Sequence, residues 1–336
     1  MLCVDVGRPM DAGAEEGMTD RILLADIGGT NARFALMEHG DIGPPEHLRV
    51  ADFPRIEDAI AAFLSRQGGT KPAVGVLGVA GPVVNNVCIF TNSTWVVDGD
   101  ALAKQFGIAS VTLLNDFEAL GWSLPALEPA DLFALGDQRP APDTPMLVLG
   151  PGTGFGTAAF LQAPQPAVVV TEAGHATLPA TSDREAQVIA ELRRRFGHVY
   201  IERVLSGSGL ENLYSALAAV DGSAAPARDA AAITEAAFDG SSPLCRATIE
   251  MFCAFLGGVG GNLALTFLAR GGVFIAGGIV PRFADRLAET PFRKQFESKG
   301  RYEDLLRHIP TSVIVTPDTS FIGLRTYFER RLQAGS

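Results

Sequence analysis

The sequence predicts a mixed α/β protein of two related domains, and three observations lead to that prediction. Short apolar runs with strand character alternate with segments that fit helices, which is typical of a mixed α/β fold. Two of the apolar runs, far apart in the chain, are each followed by a similar glycine turn and a return run. The chain of 336 residues is also long enough for two domains with separate hydrophobic cores.

The two glycine turns lie in residues 23–34 and 146–156, and each turn joins two apolar runs. A glycine turn between such runs predicts a β-hairpin. Turn glycines accept positive φ and leave backbone N–H groups exposed, which suits a phosphate ligand. Either hairpin alone is better explained as an ordinary tight turn. The presence of two predicts a pair of related domains that hold a polyphosphate from both sides.

Other phosphate-binding motifs do not fit these turns. Neither turn contains the G-x-x-x-x-G-K-[ST] pattern, and each is followed by a strand-like segment rather than by a helix. Asp26 ends a buried apolar run just before the first turn. A carboxylate at such a position lowers stability unless a cation lies opposite it, and hydrated Mg²⁺ on a phosphate would serve.

In the first part of the chain the pattern predicts a helix at 56–65 and strands at 21–27, 32–38, 74–80 and 111–114. Asn115 and Asp116 follow the last of these strands and precede a helix. From position alone, one of the two is best explained as the helix N-cap. Residues 125–145 contain many prolines and little periodicity, which indicates a connection between domains.

The second part of the chain predicts strands at 273–276 and 312–315, and helices at 184–196, 209–219, 229–238, 244–270 and 323–333. The last of these helices is expected to cross back to the first domain. A third glycine turn, Gly277-Gly278, follows a buried strand, and Pro281 suits the first turn of a helix after it. These two glycines either let a base or ribose approach the backbone or simply end the strand.

Composition and charge exclude several classes of function. The net charge of −11 argues against nucleic acid or an anionic membrane as the main partner. Residues 251–269 are apolar enough for a membrane span, but the glycines among them favour a buried helix packed closely against a sheet. Four scattered cysteines indicate free thiols in a reducing cytoplasm. Residues 1–20 lack a signal-peptide pattern and are expected to form a disordered extension.

Several motifs together resemble a known family. Three of them resemble the actin-like sugar-kinase fold: Asp26-x-Gly28-Gly29-Thr30-Asn31-x-Arg33, Gly152-Thr153-Gly154 and Ala276-Gly277-Gly278-Ile279. Five more narrow the resemblance to the bacterial glucokinase family: Thr91-Asn92-Ser93-Thr94-Trp95, Leu114-Asn115-Asp116-Phe117, Glu172-Ala173-Gly174-His175, residues 197–207 and residues 260–265. The sequence lacks the cysteine-rich zinc motif of the related repressor-type sugar kinases, which excludes that branch.

The resemblance implies an α/β, two-domain actin-like ATPase (ribonuclease H-like) fold with the active site in a cleft between the domains. After the extension at 1–20, the expected small domain comprises 21–126 and 316–336, and the expected large domain 127–315. The implied enzyme is a glucokinase that transfers a phosphoryl group from ATP to O6 of glucose, the first step of glycolysis. Mg²⁺ bound with the nucleotide, a homodimer and a cytoplasmic location belong to the same expectation.

The same resemblance implies roles for individual residues. Asp116 is the expected base that takes the proton from the sugar 6-hydroxyl, and Asp26 is expected to orient water on Mg²⁺. The residues expected to bind the sugar are Asn92, Asn115, Asp116, Glu172, His175 and Glu202. Those expected to bind ATP are Asp26, Gly28, Gly29, Thr30, Asn31, Gly152, Thr153, Gly154, Gly277 and Gly278. Arg33 is expected either near the phosphates or as the structural partner of a carboxylate.

Plainer alternatives accompany these roles. A single histidine such as His175 is more often structural than ligand-binding, and Glu202 would ordinarily be a solvated residue paired with Arg203. For the whole chain, two other functions stay open. One is a kinase for mannose, fructose or an N-acetyl amino sugar, and the other is a nucleotide-binding structural or regulatory protein without activity. The presence of Asp116 and of the glutamate and histidine set argues against the regulator.

Overall fold

The computed structural model describes residues 21–69, 71–90 and 94–332. The predicted extension at 1–20 and the predicted sugar residue Asn92 lie outside the described residues. The described chain is mixed α/β, as the sequence predicts.

The described chain contains both strands and helices. The strands are β1 (Ile22–Ile27), β2 (Asn31–Glu38), β3 (Asp41–Ile42), β4 (Glu46–Arg49), β5 (Val74–Val79), β6 (Val87–Ile89), β7 (Val96–Asp98), β8 (Ser110–Asn115), β9 (Leu132–Ala134), β10 (Met146–Pro151), β11 (Phe155–Leu161), β12 (Ala167–Thr171), β13 (Gly272–Ile275) and β14 (Thr311–Ile314). The helices are α1 (Ile56–Arg66), α2 (Gly99–Phe106), α3 (Asp116–Ser123), α4 (Asp183–Phe196), α5 (Gly207–Asp221), α6 (Ala230–Phe238), α7 (Pro243–Phe267), α8 (Ala284–Leu287), α9 (Phe292–Glu297), α10 (Glu303–His308) and α11 (Thr319–Tyr327).

The first sheet has the strand order β3-β2-β1-β5-β8, and β4 pairs with β2 beside this path. Strands β1 and β2 are antiparallel, with Asp26 opposite Arg33 and Ile27 opposite Ala32. This pairing confirms the first predicted hairpin. Most side chains of β1 are buried, so its turn is held on a rigid pair of strands.

The second sheet has the order β12-β11-β10-β13-β14-β9. Strands β10 and β11 are antiparallel, with Pro151 opposite Phe155, which confirms the second predicted hairpin. Strand β13 runs parallel to β10 and to β14. Strand β9 pairs with β14 and lies within residues 125–145, which were expected to be only a connection. Its three residues show no hydrophobic alternation of their own. They form a strand because they pair with β14.

A long helix, α7, fills the core beside the second sheet. Within the described chain it is the one helix long and apolar enough to cross a membrane, but 78% of its most apolar window is buried inside the protein. A Cβ on Gly257 would overlap the carbonyl of Phe292, and one on Gly261 would overlap that of Phe296. The glycines at 257 and 261 therefore allow close packing against helix α9, and α7 also contacts β10 of the second sheet, as expected.

The described chain divides into two compact units. One unit runs up to Leu77 and continues from Val83 to Leu113; the other comprises Gly78–Pro82 and the chain from Leu114 onward. The sequence-based boundaries differ, since they put residues 114–126 and 316–336 in the first domain. Helix α3 packs on β10, β11, β12 and α11, so both segments belong with the second unit.

Candidate active site

The first glycine turn joins β1 and β2 and forms an exposed tip. The N–H of Gly28 donates to the carbonyl of Asn31 at 2.9 Å, which closes the turn. The carbonyl of Thr30 accepts from the N–H of Val50 at 3.0 Å, so the segment after β4 supports the turn. Thr30 and Asn31 are exposed, and Gly28 and Gly29 are half-buried. Four predicted ATP residues therefore lie together on this tip.

Asp26 lies on the strand below this tip and pairs with Arg33. The Nε of Arg33 donates to Oδ2 of Asp26 at 3.1 Å, and its Nη2 contacts the same oxygen. Arg33 was expected either near the phosphates or as the structural partner of a carboxylate, and the structure shows it as the partner of Asp26. Arg33 also supplies the cation that the half-buried carboxylate of Asp26 requires, so its position gives no separate argument for a metal.

The residues at the first turn nevertheless fit Mg²⁺ bound through water. The described residues contain no group of three or more His, Cys, Asp or Glu side chains that could hold a metal ion. Mg²⁺ commonly keeps several waters and is held by one or two carboxylates together with substrate phosphates. The side chain of Asp26 is 20% exposed, which leaves it accessible to the water shell of such an ion.

The second and third glycine turns lie side by side. The N–H of Gly152 donates to the carbonyl of Gly154 at 2.8 Å. A Cβ on Gly152 would lie 3.7 Å from the nitrogen of Gly278, and one on Gly277 would overlap the carbonyl of Pro151. The parallel pairing of β10 and β13 causes this approach, because both turns follow the same ends of neighbouring strands. The predicted ATP residues of these two turns therefore form one surface.

Close contact, rather than positive φ, explains the glycine at position 154. Gly28, Gly152 and Gly154 do not have positive φ, contrary to the expectation for turn glycines; Gly277 does, at +90°. A Cβ on Gly154 would lie 2.5 Å from Oε2 of Glu202. The absent side chain at Gly154 thus makes room for a predicted sugar residue.

A cavity of about 910 Å³ opens beside the second and third turns. It is lined by Gly152 and Thr153, by the start of α5, by one face of α6 and by residues 278–283. This volume lies within the range of pockets that hold small organic ligands. The aromatic rings of Phe238 and Phe283 lie in its wall, with centroids 5.2 Å apart. The cavity is large enough for a nucleoside beside the predicted phosphate turn.

Asn115 and Asp116 lie at the junction of β8 and α3. Oδ1 of Asn115 accepts from the N–H of Phe117 at 3.0 Å and from that of Glu118 at 3.4 Å. Its Nδ2 donates to the carbonyl of Gly81 at 3.0 Å. Asn115 is therefore the N-cap of α3, which confirms the plainer expectation for this pair. Asp116 is the first residue of the helix, and its carboxylate is half-buried.

The predicted catalytic and sugar segments of the second unit meet around Phe155. Its N–H donates to Oε2 of Glu202 at 2.8 Å. A Cβ on Gly174 would overlap the carbonyl of Phe155, and one on Gly156 would overlap the ring of Phe117. The structure thus brings the turn that carries Glu172 and His175, the turn that carries Glu202 and the start of α3 to the same point on β11.

Glu172 precedes a 3₁₀ turn, Ala173–His175, that follows β12, and His175 is its last residue. Their side chains are 77% and 58% exposed, and Oε2 of Glu172 lies 3.7 Å from Nδ1 of His175. The two groups face solvent at a separation too long for a good hydrogen bond. Both remain accessible to a polar ligand.

Apart from Gly278, the residues of α6 and of the turn after β13 that line the cavity are not among the predicted site residues. They include Ala230, Thr234, Glu235, Ile279 and Arg282. The sequence marks α6 only as an alanine-rich helix, and nothing in its pattern indicates a ligand. Its place in the wall depends on packing against α5 and α7.

Comparisons with known proteins agree on one family. The family model described as "Glucokinase" matches residues 23–331. A glucokinase from Nitrobacter hamburgensis is 40% identical over 311 residues, which covers 92% of this chain and 97% of that protein. One from Caulobacter sp. strain K31 is 42% identical over 306 residues, 90% of this chain and 93% of that protein.

A solved structure agrees with these matches. The crystal structure of a glucokinase from an Antarctic psychrotroph superposes with a TM-score of 0.87 at 36% identity, and the match covers 93% of this chain and 99% of that one. This similarity confirms the predicted fold class, the α/β actin-like fold of sugar kinases. The chain therefore belongs to the glucokinase family of enzymes.

Proposed function

We propose that this chain transfers the γ-phosphoryl group of ATP to O6 of D-glucose, with Asp116 as the base that accepts the hydroxyl proton. Membership of the glucokinase family supports ATP-dependent phosphorylation of glucose. The observation that carries the assignment of residues is the meeting of three segments around Phe155. One carries Asp116, one carries Glu172 and His175, and one carries Glu202.

Asp116 suits the role of base by its position. Phosphoryl transfer requires a positioned acceptor for the hydroxyl proton and little other covalent help. Asp116 begins α3, and the cap that stabilises the helix is provided by Asn115. The carboxylate of Asp116 is thus not needed as the N-cap. Oδ1 of Asp116 accepts from the N–H of Phe117 at 2.9 Å, which holds the carboxylate near the end of β8.

The sugar is assigned to Glu172, His175 and Glu202, with Asn115 and Asn92 completing the set. Carboxylates and an imidazole bind hydroxyls in fixed directions and disfavour an analogue that lacks one. The Phe155 N–H binds Oε2 of Glu202 and so fixes the orientation of the carboxylate. Oε1 of Glu202 is then left for a sugar hydroxyl. The exposed position of Glu172 and His175 leaves both available to a ring hydroxyl.

The nucleotide is assigned to the glycine turns and the adjoining cavity. Backbone N–H groups in such turns bind phosphates without a basic patch, which agrees with the net charge of −11. The nucleoside then occupies the cavity lined by α6 and residues 278–283. Asp26 would hold Mg²⁺ through water. The ion, when bound with ATP, neutralises charge on the phosphate oxygens.

The remaining proposals concern the context of the enzyme. We propose a homodimer that acts in the cytoplasm on glucose and ATP, without a nucleic acid or membrane partner. Sedimentation at several protein concentrations tests the dimer.

The rate of ADP formation, measured with ATP, Mg²⁺ and each of a panel of sugars, tests the function. Glucose should give the highest kcat/KM, ahead of mannose, fructose, N-acetylglucosamine and 6-deoxyglucose, and 6-deoxyglucose should give no turnover because it lacks the acceptor hydroxyl. Highest kcat/KM with another hexose would favour the kinase for that sugar. Binding of ATP without turnover on any sugar would favour the regulator.

A further inference from the structure

The imidazole ring of His175 stacks on the ring of Tyr200. The two centroids are 5.1 Å apart and the ring planes are inclined by only 15°, a geometry within the range of favourable aromatic pairs. The contact of His175 with Glu172 is longer than a hydrogen bond, with 3.7 Å between Nδ1 and Oε2. The stack therefore constrains the plane of the exposed imidazole more closely than the carboxylate does.

Tyr200 lies on the pairing that joins two segments of the site. A short antiparallel bridge connects Thr177 with Tyr200, and backbone hydrogen bonds of 2.9 and 3.1 Å flank it. His175 comes just before Thr177 in the chain, and Glu202 comes just after Tyr200. The backbone pairing at Tyr200 thus fixes the segment that carries His175 relative to the segment that carries Glu202.

The ring of Tyr200 is fixed by further neighbours. The guanidinium carbon of Arg203 lies 4.8 Å from the centroid of Tyr200 and 4.4 Å from that of Phe196. Both distances are within the range of cation–π contacts. Nε of Arg203 is buried and has no hydrogen-bond partner among the described residues, so its aromatic neighbours stabilise this part of the side chain. The His198 ring lies 5.9 Å from the Tyr200 ring.

We infer that Tyr200 is a positioning residue for sugar binding: it fixes the plane of the His175 imidazole so that the ring nitrogen meets a sugar hydroxyl. The inference rests on the proposed role of His175. A side chain held in its bound orientation loses less conformational freedom when the ligand arrives, which lowers the cost of binding. Loss of the stack should therefore weaken glucose binding and leave ATP binding unchanged.

Spectroscopy tests the stack without reference to activity. The chain has five histidines, and their ring protons can be assigned from single substitutions. In Tyr200→Leu, the ring-proton resonances of His175 should shift because the ring current of Tyr200 is lost. Tyr200→Phe should keep them near their parent positions. Unchanged His175 resonances in Tyr200→Leu would overturn the inference.

Kinetics test whether the stack serves sugar binding. Tyr200→Leu should raise KM for glucose by roughly 2- to 10-fold, the equivalent of one aromatic pair, with KM for ATP unchanged, and Tyr200→Phe should restore the parent value. In a His175→Ala background, Tyr200→Leu should have no further effect on KM for glucose. Tyr302→Leu is the matched control, because Tyr302 also has an arginine over its ring and contacts no proposed site residue in the part of the chain that the structure describes.

The outcomes separate this inference from the proposed function. If His175→Ala raises KM for glucose but Tyr200→Leu does not, the positioning role is wrong and the sugar role of His175 stands. If His175→Ala leaves KM for glucose unchanged, the proposed sugar role of His175 is wrong, and so is the positioning role of Tyr200 that rests on it. Tyr200→Met replaces the leucine variant if the latter does not fold, as judged by its thermal unfolding. A full effect of either variant in the His175→Ala background would also contradict the inference.

Discussion

Oε2 of Glu202 accepts a hydrogen bond from the backbone N–H of Phe155 at 2.8 Å. Phe155 is the residue directly after the Gly152-Thr153-Gly154 turn, so a proposed sugar residue is fixed by the chain that forms the proposed phosphate turn. The absence of a side chain on Gly154 leaves room for this contact. The arrangement explains how a carboxylate 47 residues further along the chain acquires a fixed direction.

Replacing Gly154 with Ala should weaken glucose use. The new Cβ would lie 2.5 Å from Oε2 of Glu202, so the carboxylate must move. Loss of one hydrogen bond to a charged group corresponds to roughly 1.5–3 kcal/mol, or about 10- to 100-fold in kcat/KM for glucose. Gly152→Ala is the matched control, because its Cβ would be 3.7 Å from the nearest atom. It should leave KM for glucose unchanged, and equal effects of the two variants on that KM would contradict the role of Glu202.

Replacing Asn115 with Ala should destabilise the protein by about 1 kcal/mol through loss of the helix N-cap. The cap bonds to the N–H groups of Phe117 and Glu118 are the cause. Thermal or urea unfolding measures the change. Asn115→Ser keeps an acceptor at the N-cap and should recover most of the loss. Equal stability of the alanine variant and the parent would show that the cap contributes nothing.

Glu118 should make stability depend on pH. Burial raises the pKa of its carboxyl above the ordinary 4.5. Between 4.5 and the raised value, the folded state binds more protons than the unfolded state, so stability falls as pH rises through this window. Glu118→Gln should therefore be more stable than the parent at pH 8, and the difference should shrink as pH falls towards 4.5.

Melting temperatures of the parent and the variant across this pH range measure that difference. Glu235→Gln removes an exposed carboxylate and serves as the control, with little change expected at any pH. A Glu118→Gln variant less stable than the parent at pH 8 would contradict the direction of the pKa shift.

Two adjacent glycines in α7 should respond oppositely to alanine. A Cβ on Gly257 would overlap the carbonyl of Phe292, whereas one on Gly258 would meet nothing within 4 Å. Gly257→Ala should destabilise by roughly 1–3 kcal/mol through overpacking. Gly258→Ala should be neutral or stabilise by up to about 1 kcal/mol, since alanine favours a helix. Denaturant unfolding of both variants checks the packing of α7 on α9, and a reversed order would contradict it.

The local parts of the fold could be predicted from the sequence. Both hairpins follow from apolar runs around glycine turns, and α4, α5, α6 and α7 follow from their patterns. Helix α2 is not among the predicted helices, although a capping aspartate, Asp98, and a left-handed glycine, Gly107, lie at its ends. Strand β4 is not predicted because Glu46–Arg49 alternates only weakly; it becomes a strand by pairing with β2.

The tertiary parts of the site could not be predicted from local patterns. Individual site residues were proposed from the family resemblance, and their ligand roles stay predictions. The contact of Glu202 with the chain after Gly154 and the stack of His175 on Tyr200 join segments that are distant in sequence. The cavity wall formed by α6 depends in the same way on helix packing. The residue spacing within a single segment does not predict these contacts, because they form only when the sheet and the helices pack together.

The most direct test of the account is the turnover of Asp116→Asn with glucose and ATP. Asparagine keeps an oxygen that can accept from the N–H of Phe117, and the N-cap at Asn115 is untouched. Folding and glucose affinity should therefore stay close to those of the parent, while kcat falls by on the order of 10²–10⁴ because the proton acceptor is lost. A correctly folded Asp116→Asn variant with near-parental kcat would contradict the assignment of Asp116 as the base.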